Sequence, residues 1–486
     1  MYRIVLVLIF VACLGACAQQ GSVSDANDRY PLQVESRSRS YDDGNVLEYA
    51  VGTLEVPERR AASGTRNIAI QFHYFAALPG APADVPPVYL LRGGPGFSGL
   101  EGNLNNPGYY GAYIAQYRAL TDVVVLEHRG FGEKNATPCA SRPPTTLAQV
   151  ATPAARMARY RAAVFACRDA YLEQGVDLAG YTVVELAHDL VDVANALGHT
   201  DIQLLGNSFG SHWAMAIVRA YPDRIARVTL TALEGPDQTF DLPLERDAAL
   251  RAIARDKPAN WLDDFRALVA TLDDAPVMVH FEDARAGEAQ SIELTGQDLR
   301  GVVDGFRRGT TWGFLFPTWG EDMRMMLAGD FSGAARRLHY VWTRTEVESA
   351  AFFSFECGSG ASKARAQALA DQAGRALFRN NTLVEAGICA DWPVDLGARF
   401  RAPFQTPVPA VLVHGTYDTA TPFANAASVR ASFTDHHFIE VRGGSHGALI
   451  EANDQVEGLS AALLRWVATG ETQDLPERVR LAPIAW

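Results

Sequence analysis

Residues Ile202 to Pro222 read IQLLGNSFGSHWAMAIVRAYP, and the fold turns on how that stretch divides. Ile202–Leu205 is a short apolar run broken only by Gln203, the kind of strand a parallel sheet buries on both faces. Ser211 to Tyr221 has the composition of a helix, and Pro222 stops it, because proline disfavours helical backbone at the residue before it. Between strand and helix lies Gly206-Asn207-Ser208-Phe209-Gly210, a G-x-S-x-G corner. Glycines two residues either side of Ser208 relieve crowding in a sharp turn, which leaves the hydroxyl exposed at the sheet edge. The helix behind the serine adds its positive dipole end and unpaired N–H groups. An ordinary Gly/Ser turn would use the same letters, but the strand before and the helix after favour an exposed nucleophile.

Working outward, strand patterns fall at Val46–Val56, Asn67–Ala76, Val88–Leu91, Asp122–Leu126, Arg227–Leu233, Val408–Val413 and Phe438–Val441. Tyr181–Leu197 has a helical apolar face, with Thr182 as N-cap, Glu185 completing a capping box and Gly198 beyond the end. A last helix is expected from about Gln455 to Thr469. Strands alternating with helices predict an α/β fold, a mostly parallel sheet with helices on both faces. The alternation breaks near Gly235. A helical cap is expected over 236–400, dividing the core into 41–235 and 401–486. The cap holds an aromatic cluster, Trp312, Phe314, Phe316 and Trp319, which either packs the cap or lines a pocket.

The chain has 486 residues, 48% of them hydrophobic and 20% charged, enough to bury a large core. A net charge of −13 argues against nucleic acid as a partner. At the N-terminus, Arg3 precedes an apolar run from Ile4 to Leu14, too short to span a bilayer and suited to a signal peptide over 1–17. Leu14-Gly15-Ala16-Cys17 resembles a lipobox, in which Cys17 is lipidated, while Ala16-Cys17-Ala18 also reads as an ordinary cleavage site. Residues 18–40 are then expected to be a flexible tether, and the chain a protein of the bacterial cell envelope or a secreted one. Export would expose Cys139, Cys167, Cys357 and Cys389 to an oxidising compartment, where four cysteines allow three pairings. Proximity in sequence favours Cys139–Cys167 and Cys357–Cys389. With no C-x-x-C, no H-E-x-x-H and no i, i+4 histidine pair, no catalytic metal is expected.

A serine nucleophile needs a base, and the base an orienting acid, both at the ends of later strands. His414-Gly415-Thr416-Tyr417-Asp418 follows one such strand, and Arg442-Gly443-Gly444-Ser445-His446 the next. The order Ser208, Asp418, His446 therefore nominates nucleophile, orienter and base. His414 comes one loop too early, and His212 reads as a packed residue. A second glycine-rich loop, Gly94-Pro95-Gly96-Phe97-Ser98-Gly99, spells the dinucleotide fingerprint G-x-G-x-x-G. Pro95 removes a donor, and no helical face is evident before about Tyr109. Half of an oxyanion hole is the better reading, since glycines let backbone N–H groups approach developing charge.

In this order, GGPGFSG, EHRGFGEK, GNSFGS, GTYD and GGSHG resemble the proline iminopeptidase and tripeptidyl aminopeptidase-like branch of the α/β-hydrolases. The likeness runs from about Val46 to the C-terminus, strong at these motifs and weak through the cap. It implies a secreted, cofactor-free serine peptidase of the aminopeptidase type, releasing short N-terminal residues or peptides, or cleaving related amides, through an acyl-enzyme on Ser208, with backbone N–H groups of Gly94 and Phe209 as the oxyanion donors. The sequence departs from the branch at Arg92, where histidine is usual, and at Glu127, where aspartate is common; both bear on proline specificity. Arg92 could line a substrate channel or brace the loop. An aminopeptidase also needs an anionic place for the substrate ammonium, and Glu234, past the strand after the nucleophile helix, suits it; a salt bridge at the cap junction is the plainer use of that residue. The alternatives are a carboxylesterase with the same machinery and a catalytically silent binding lipoprotein.

Overall fold

The computed structural model describes residues 30–41, 46–96, 100, 104, 112–132, 139, 152–255, 260–283, 288–300, 319–343 and 349–482. The expected signal peptide, Cys17, Phe97, Trp312, Phe314 and Phe316 lie outside the described residues, as does the side chain of Trp319.

Twelve strands are described: β1 (Leu32–Ser40), β2 (Val46–Pro57), β3 (Asn67–Phe75), β4 (Val88–Leu91), β5 (Val123–Leu126), β6 (Ile202–Asn207), β7 (Ile225–Thr231), β8 (Val277–Asp283), β9 (Glu288–Leu294), β10 (Ala410–Gly415), β11 (His436–Arg442) and β12 (Arg478–Arg480). Ten form one sheet, ordered β1-β2-β3-β5-β4-β6-β7-β10-β11-β12. The pairs from β1 through β2 and β3 to β5 are antiparallel, and every pair from β5 to β12 is parallel. The fully apolar runs sit where both faces are covered. Val123 and Val125 enter one core cluster, and Val124 and Leu126 the other; Val411 and Val413 divide from Ala410 and Leu412 in the same way. This is the period of two of a strand buried on both sides.

Three expectations change. Residues 32–40 are not a tether, for β1 pairs with β2 along its whole length. Its polar side chains are exposed because it is the sheet edge, which a composition-based reading takes for a linker. The cap is not purely helical, since β8 and β9 form an antiparallel pair within it. The last helix runs from Leu459 to Thr469, starting a few residues later than expected, after Gly458 at φ 81°, and a separate helix, Ala448–Gln455, precedes it unforeseen. Thr182 caps the helix Val183–Ala196 as expected, its hydroxyl accepting from Glu185 N at 3.2 Å. Glu185 leaves the capping box half made, because its carboxylate accepts from the backbone and guanidinium of Arg60.

Two disulfides join Cys139 to Cys167 and Cys357 to Cys389, with Cα–Cα separations of 5.1 and 5.0 Å. No described helix is long and apolar enough to cross a membrane.

Candidate active site

Ser208 stands between β6 and the helix Phe209–Ala220 at φ 57°, ψ −128°, a conformation that side chains rarely adopt and that is retained where surrounding structure enforces it. Ser208 N donates to Thr231 O at 3.1 Å, and Ser211 N donates to Ser208 O at 2.7 Å. The flanking glycines are sterically required. A Cβ on Gly206 would lie 2.5 Å from Gly210 O, and one on Gly210 2.1 Å from Leu91 O. The Ser208 hydroxyl caps no helical N–H and so is not spent on the backbone.

Asp418 and His446 follow β10 and β11, neighbouring parallel strands, so both loops open at the same sheet end as the Ser208 corner. Asp418 is fully buried; Oδ1 accepts from the N–H groups of Ala420 (2.8 Å) and Thr421 (3.0 Å), and Oδ2 from the Thr421 hydroxyl (2.8 Å). Both oxygens lie 3.0 Å from His446 Nδ1. Burial alone would raise the Asp418 carboxyl, but the His446 ring, His414 and the Thr421 hydroxyl outweigh it and hold the group down at about 2. An ionised Asp418 takes the Nδ1–H and selects the tautomer whose Nε2 carries the lone pair. Glu451 braces this loop, its carboxylate accepting from the backbone N–H and hydroxyl of Ser445.

The rival histidines are committed elsewhere. His414, buried within β10, accepts from Leu233 N at 3.2 Å and reaches Thr421 O at 2.9 Å. His212 donates Nδ1–H to Gly235 O and accepts at Nε2 from the Ser359 hydroxyl, both at 3.0 Å, and burial lowers its pKa to about 4.

The first glycine loop meets the serine directly. A Cβ on Gly93 would lie 3.0 Å from the Ser208 Cβ and 3.1 Å from Asn207 O, and Gly94 and Gly96 have φ of 131° and 106°. Among the described residues, the N–H groups of Gly94 and Phe209 donate to no protein acceptor. One step of the sequence reasoning is overturned, since backbone at Leu100 and Leu104 is helical and both side chains are buried. Contact with Ser208, rather than the lack of a following helix, separates this loop from a dinucleotide site. Glu127, the acid in the dinucleotide position, accepts from its neighbour His128 N at 3.1 Å. Arg92 is half-buried. Burial, with the Arg92 charge adding, pushes the fully buried His128 down to about 3.

Glu234 is buried, with its carboxylate 3.7 Å from His212 Nδ1. Burial lifts its pKa well above the usual carboxylate range, and the Glu356 and Asp241 carboxylates add to that while Arg365 opposes it. Glu356 was not singled out from sequence. It lies in the cap helix Ala350–Ser359, which packs Phe355 on Phe209 at 5.8 Å between ring centroids and sets Phe352 against Gly96. No pattern in the cap sequence marks that helix as part of the site. Among the described residues, no group of His, Cys, Asp and Glu could hold a metal ion.

Comparison with known proteins adds the following. A family model described as "alpha/beta hydrolase fold" matches residues 86–453. The chain is similar to the tripeptidyl aminopeptidase of Streptomyces lividans, 25% identical over 390 residues that cover 73% of this chain and 70% of the relative. It is similarly 25% identical to the tripeptidyl aminopeptidase of Streptomyces coelicolor over 388 residues, 73% of this chain and 69% of the relative. Among solved structures, an esterase from Thermogutta terrifontis is matched over 85% of this chain and 99% of its own at 16% identity and a TM-score of 0.35.

Proposed function

The chain belongs to the alpha/beta hydrolase fold family, and on that premise we propose that it is an exported serine hydrolase of the aminopeptidase type, acting through an acyl-enzyme on Ser208. The observation that carries the reading is the assembly of a half-buried, uncapped serine, two unspent backbone N–H groups and a half-buried histidine bonded to a buried aspartate at one end of one sheet. His446 Nε2 takes the proton from Ser208 Oγ as the oxygen attacks the scissile carbonyl carbon. The carbonyl oxygen becomes an oxyanion held by the N–H groups of Gly94 and Phe209. Collapse breaks the C–N bond, and the imidazolium gives its proton to the departing amine. Water then attacks the acyl-enzyme, its proton passing through His446 back to Ser208 as the acid leaves. Asp418 holds the ring and stabilises the imidazolium throughout.

The similarity to enzymes named tripeptidyl aminopeptidases supports a free-amine substrate. So does Glu234, a buried carboxylate suited to pair with an ammonium, since an unpaired buried charge is costly. The disulfides and the apolar N-terminal run support export. Replacing Ser208→Ala is expected to lower kcat at least about 10⁴-fold and to abolish labelling by a fluorophosphonate. Full activity of that variant would discard the nucleophile. Similar rates on an aminoacyl arylamide and its N-acylated form would favour an esterase-type enzyme, and a wild-type protein that never labels would favour a binding lipoprotein.

A further inference from the structure

The base of the site is anchored through its backbone as well as through its ring. His446 lies in the short loop between β11 and the helix Ala448–Gln455. Glu451, in that helix, reaches back to Ser445, the residue before the base. Its Oε2 accepts from Ser445 N at 2.7 Å, and its Oε1 accepts from the Ser445 hydroxyl. Gly447 N, on the other side of His446, donates to Ser445 Oγ at 3.3 Å. One carboxylate therefore ties down, through one serine, the peptide units on both sides of the base. Both Ser445 groups that meet Glu451 are donors, which suits an ionised carboxylate that only accepts. The loop is also pressed from below. A Cβ on Gly415, at the end of β10, would lie 2.2 Å from Gly444 O and 2.5 Å from Ser445 O. Among the described residues, the charged groups facing Glu451 are His446 on its own loop and Asp418 on the loop after β10, with His414 3.7 Å from Asp418 behind it. Burial raises the Glu451 carboxyl and the Ser445 hydrogen bonds oppose it; the Asp418 charge adds to the rise and His446 counters it.

We propose that Glu451 is a positioning residue for the base, aiming His446 through Ser445 and adding a second negative charge near the imidazolium that forms in turnover. This rests on the reading of His446 as base given above. Asp418 fixes the ring at Nδ1, and the Glu451–Ser445 pair fixes the chain that carries the ring. The two effects are separable. The tether governs geometry, where a misplacement of about 1 Å costs on the order of 10²-fold in rate. The charge governs protonation, since each nearby carboxylate favours an imidazolium and removing one lets the proton-accepting ring persist to lower pH.

The test measures the second-order rate constant of fluorophosphonate labelling of the full chain between about pH 5 and 9. In that reaction Ser208 Oγ bonds to phosphorus, fluoride leaves and the hydroxyl proton passes to His446, so nucleophile and base are read without any assumption about substrate. Each variant is assayed below its own thermal midpoint. Glu451→Ala should label about 10- to 100-fold more slowly at the alkaline plateau. Glu451→Gln keeps an acceptor for Ser445 N and an amide that can donate to Ser445 Oγ. It should recover to within about threefold of wild type, with the acid limb moved down by about half a unit. Ser445→Ala cuts the tether and keeps the charge, so it should slow labelling about 3- to 10-fold and leave the acid limb in place. Wild-type labelling and an unmoved acid limb in Glu451→Ala overturn the proposal. Equal losses in Glu451→Ala and Glu451→Gln with no movement of the limb also overturn it, leaving Glu451 a residue of the fold alone. Wild-type labelling by His446→Ala overturns the base itself, and the positioning role with it.

Discussion

Glu234 is the residue whose ionisation most directly governs the proposed substrate contact. Burial first, then the charges of Glu356 and Asp241, raise its carboxyl well above the usual range. Only the ionised carboxylate pairs with an ammonium, so apparent affinity for free-amine substrates should rise as pH rises through that elevated value. It should fall again as the substrate amine loses its proton near pH ~8. For stability the sign is reversed, because a raised carboxyl pKa favours the protonated form in the folded state, and its contribution is lost as pH climbs above the unfolded value. A pH profile of 1/KM for wild type and Glu234→Gln checks the assignment; a lower limb that persists unchanged in the variant would exclude Glu234. Asp418, held at about 2, adds no inflection in this range.

At the scale of elements, strand ends place the chemistry, and an ion network holds the loop between β5 and the core. Arg129, in that loop, donates from Nη2 and Nε to the two carboxylate oxygens of Asp189 on the helix Val183–Ala196 at 2.7 and 2.8 Å, and both residues are fully buried. Arg60 joins Asp189 at 2.8 Å, Asp192 at 2.6 Å and Glu185 at 2.6 Å. Burial pushes the Asp189 carboxyl up, but the two arginines dominate and hold it below its usual value. Its contribution to stability is therefore present above the unfolded pKa of ~3.9 and is lost as pH falls through the lower folded value. Asp189→Asn should cost about 3–5 kcal/mol by removing the carboxylate nearest to Arg129, whose other partner, Glu185, lies 3.7 Å away and is shared with Arg60, measured by urea unfolding at neutral pH; a loss below about 1 kcal/mol would show that Glu185 suffices. Elements were legible where one physical signal dominated. The apolar runs of β5 and β10 have no other use than a doubly covered sheet, and the Ser208 corner is written in glycines that only a crowded turn requires. β1 was missed because an edge strand exposes polar side chains on both faces. The β8–β9 pair was lost among helical composition, and Glu356 because its importance comes from where the cap helix docks, which no local pattern encodes.

Across the whole molecule, the cap contributes one wall of the site and is covalently stapled. Cys357, next to Glu356, binds Cys389 across 32 residues, and Cys139 binds Cys167 across 28. Loops of that size make each bridge worth about 3–4 kcal/mol. The double variant Cys357→Ser/Cys389→Ser should lower the thermal midpoint and raise KM for free-amine substrates, while fluorophosphonate labelling at moderate temperature persists because Ser208, Asp418 and His446 all lie in the sheet domain. An unchanged KM would mean that the helix Ala350–Ser359 is positioned by packing alone. The cap also separates β7 from β10, which are hydrogen-bonded neighbours in the sheet. For a chain that emerges N-terminus first, this sets a timetable. The serine corner is made early, while its acid and base are among the last parts to arrive. Until β10 slots in, β7 offers an open edge to stray pairing, and the nucleophile has no proton acceptor. Nascent and truncated chains would thus be chemically inert but sticky, so a cell making this protein would be protected from premature hydrolysis at the cost of a longer dependence on whatever shields unfinished sheets.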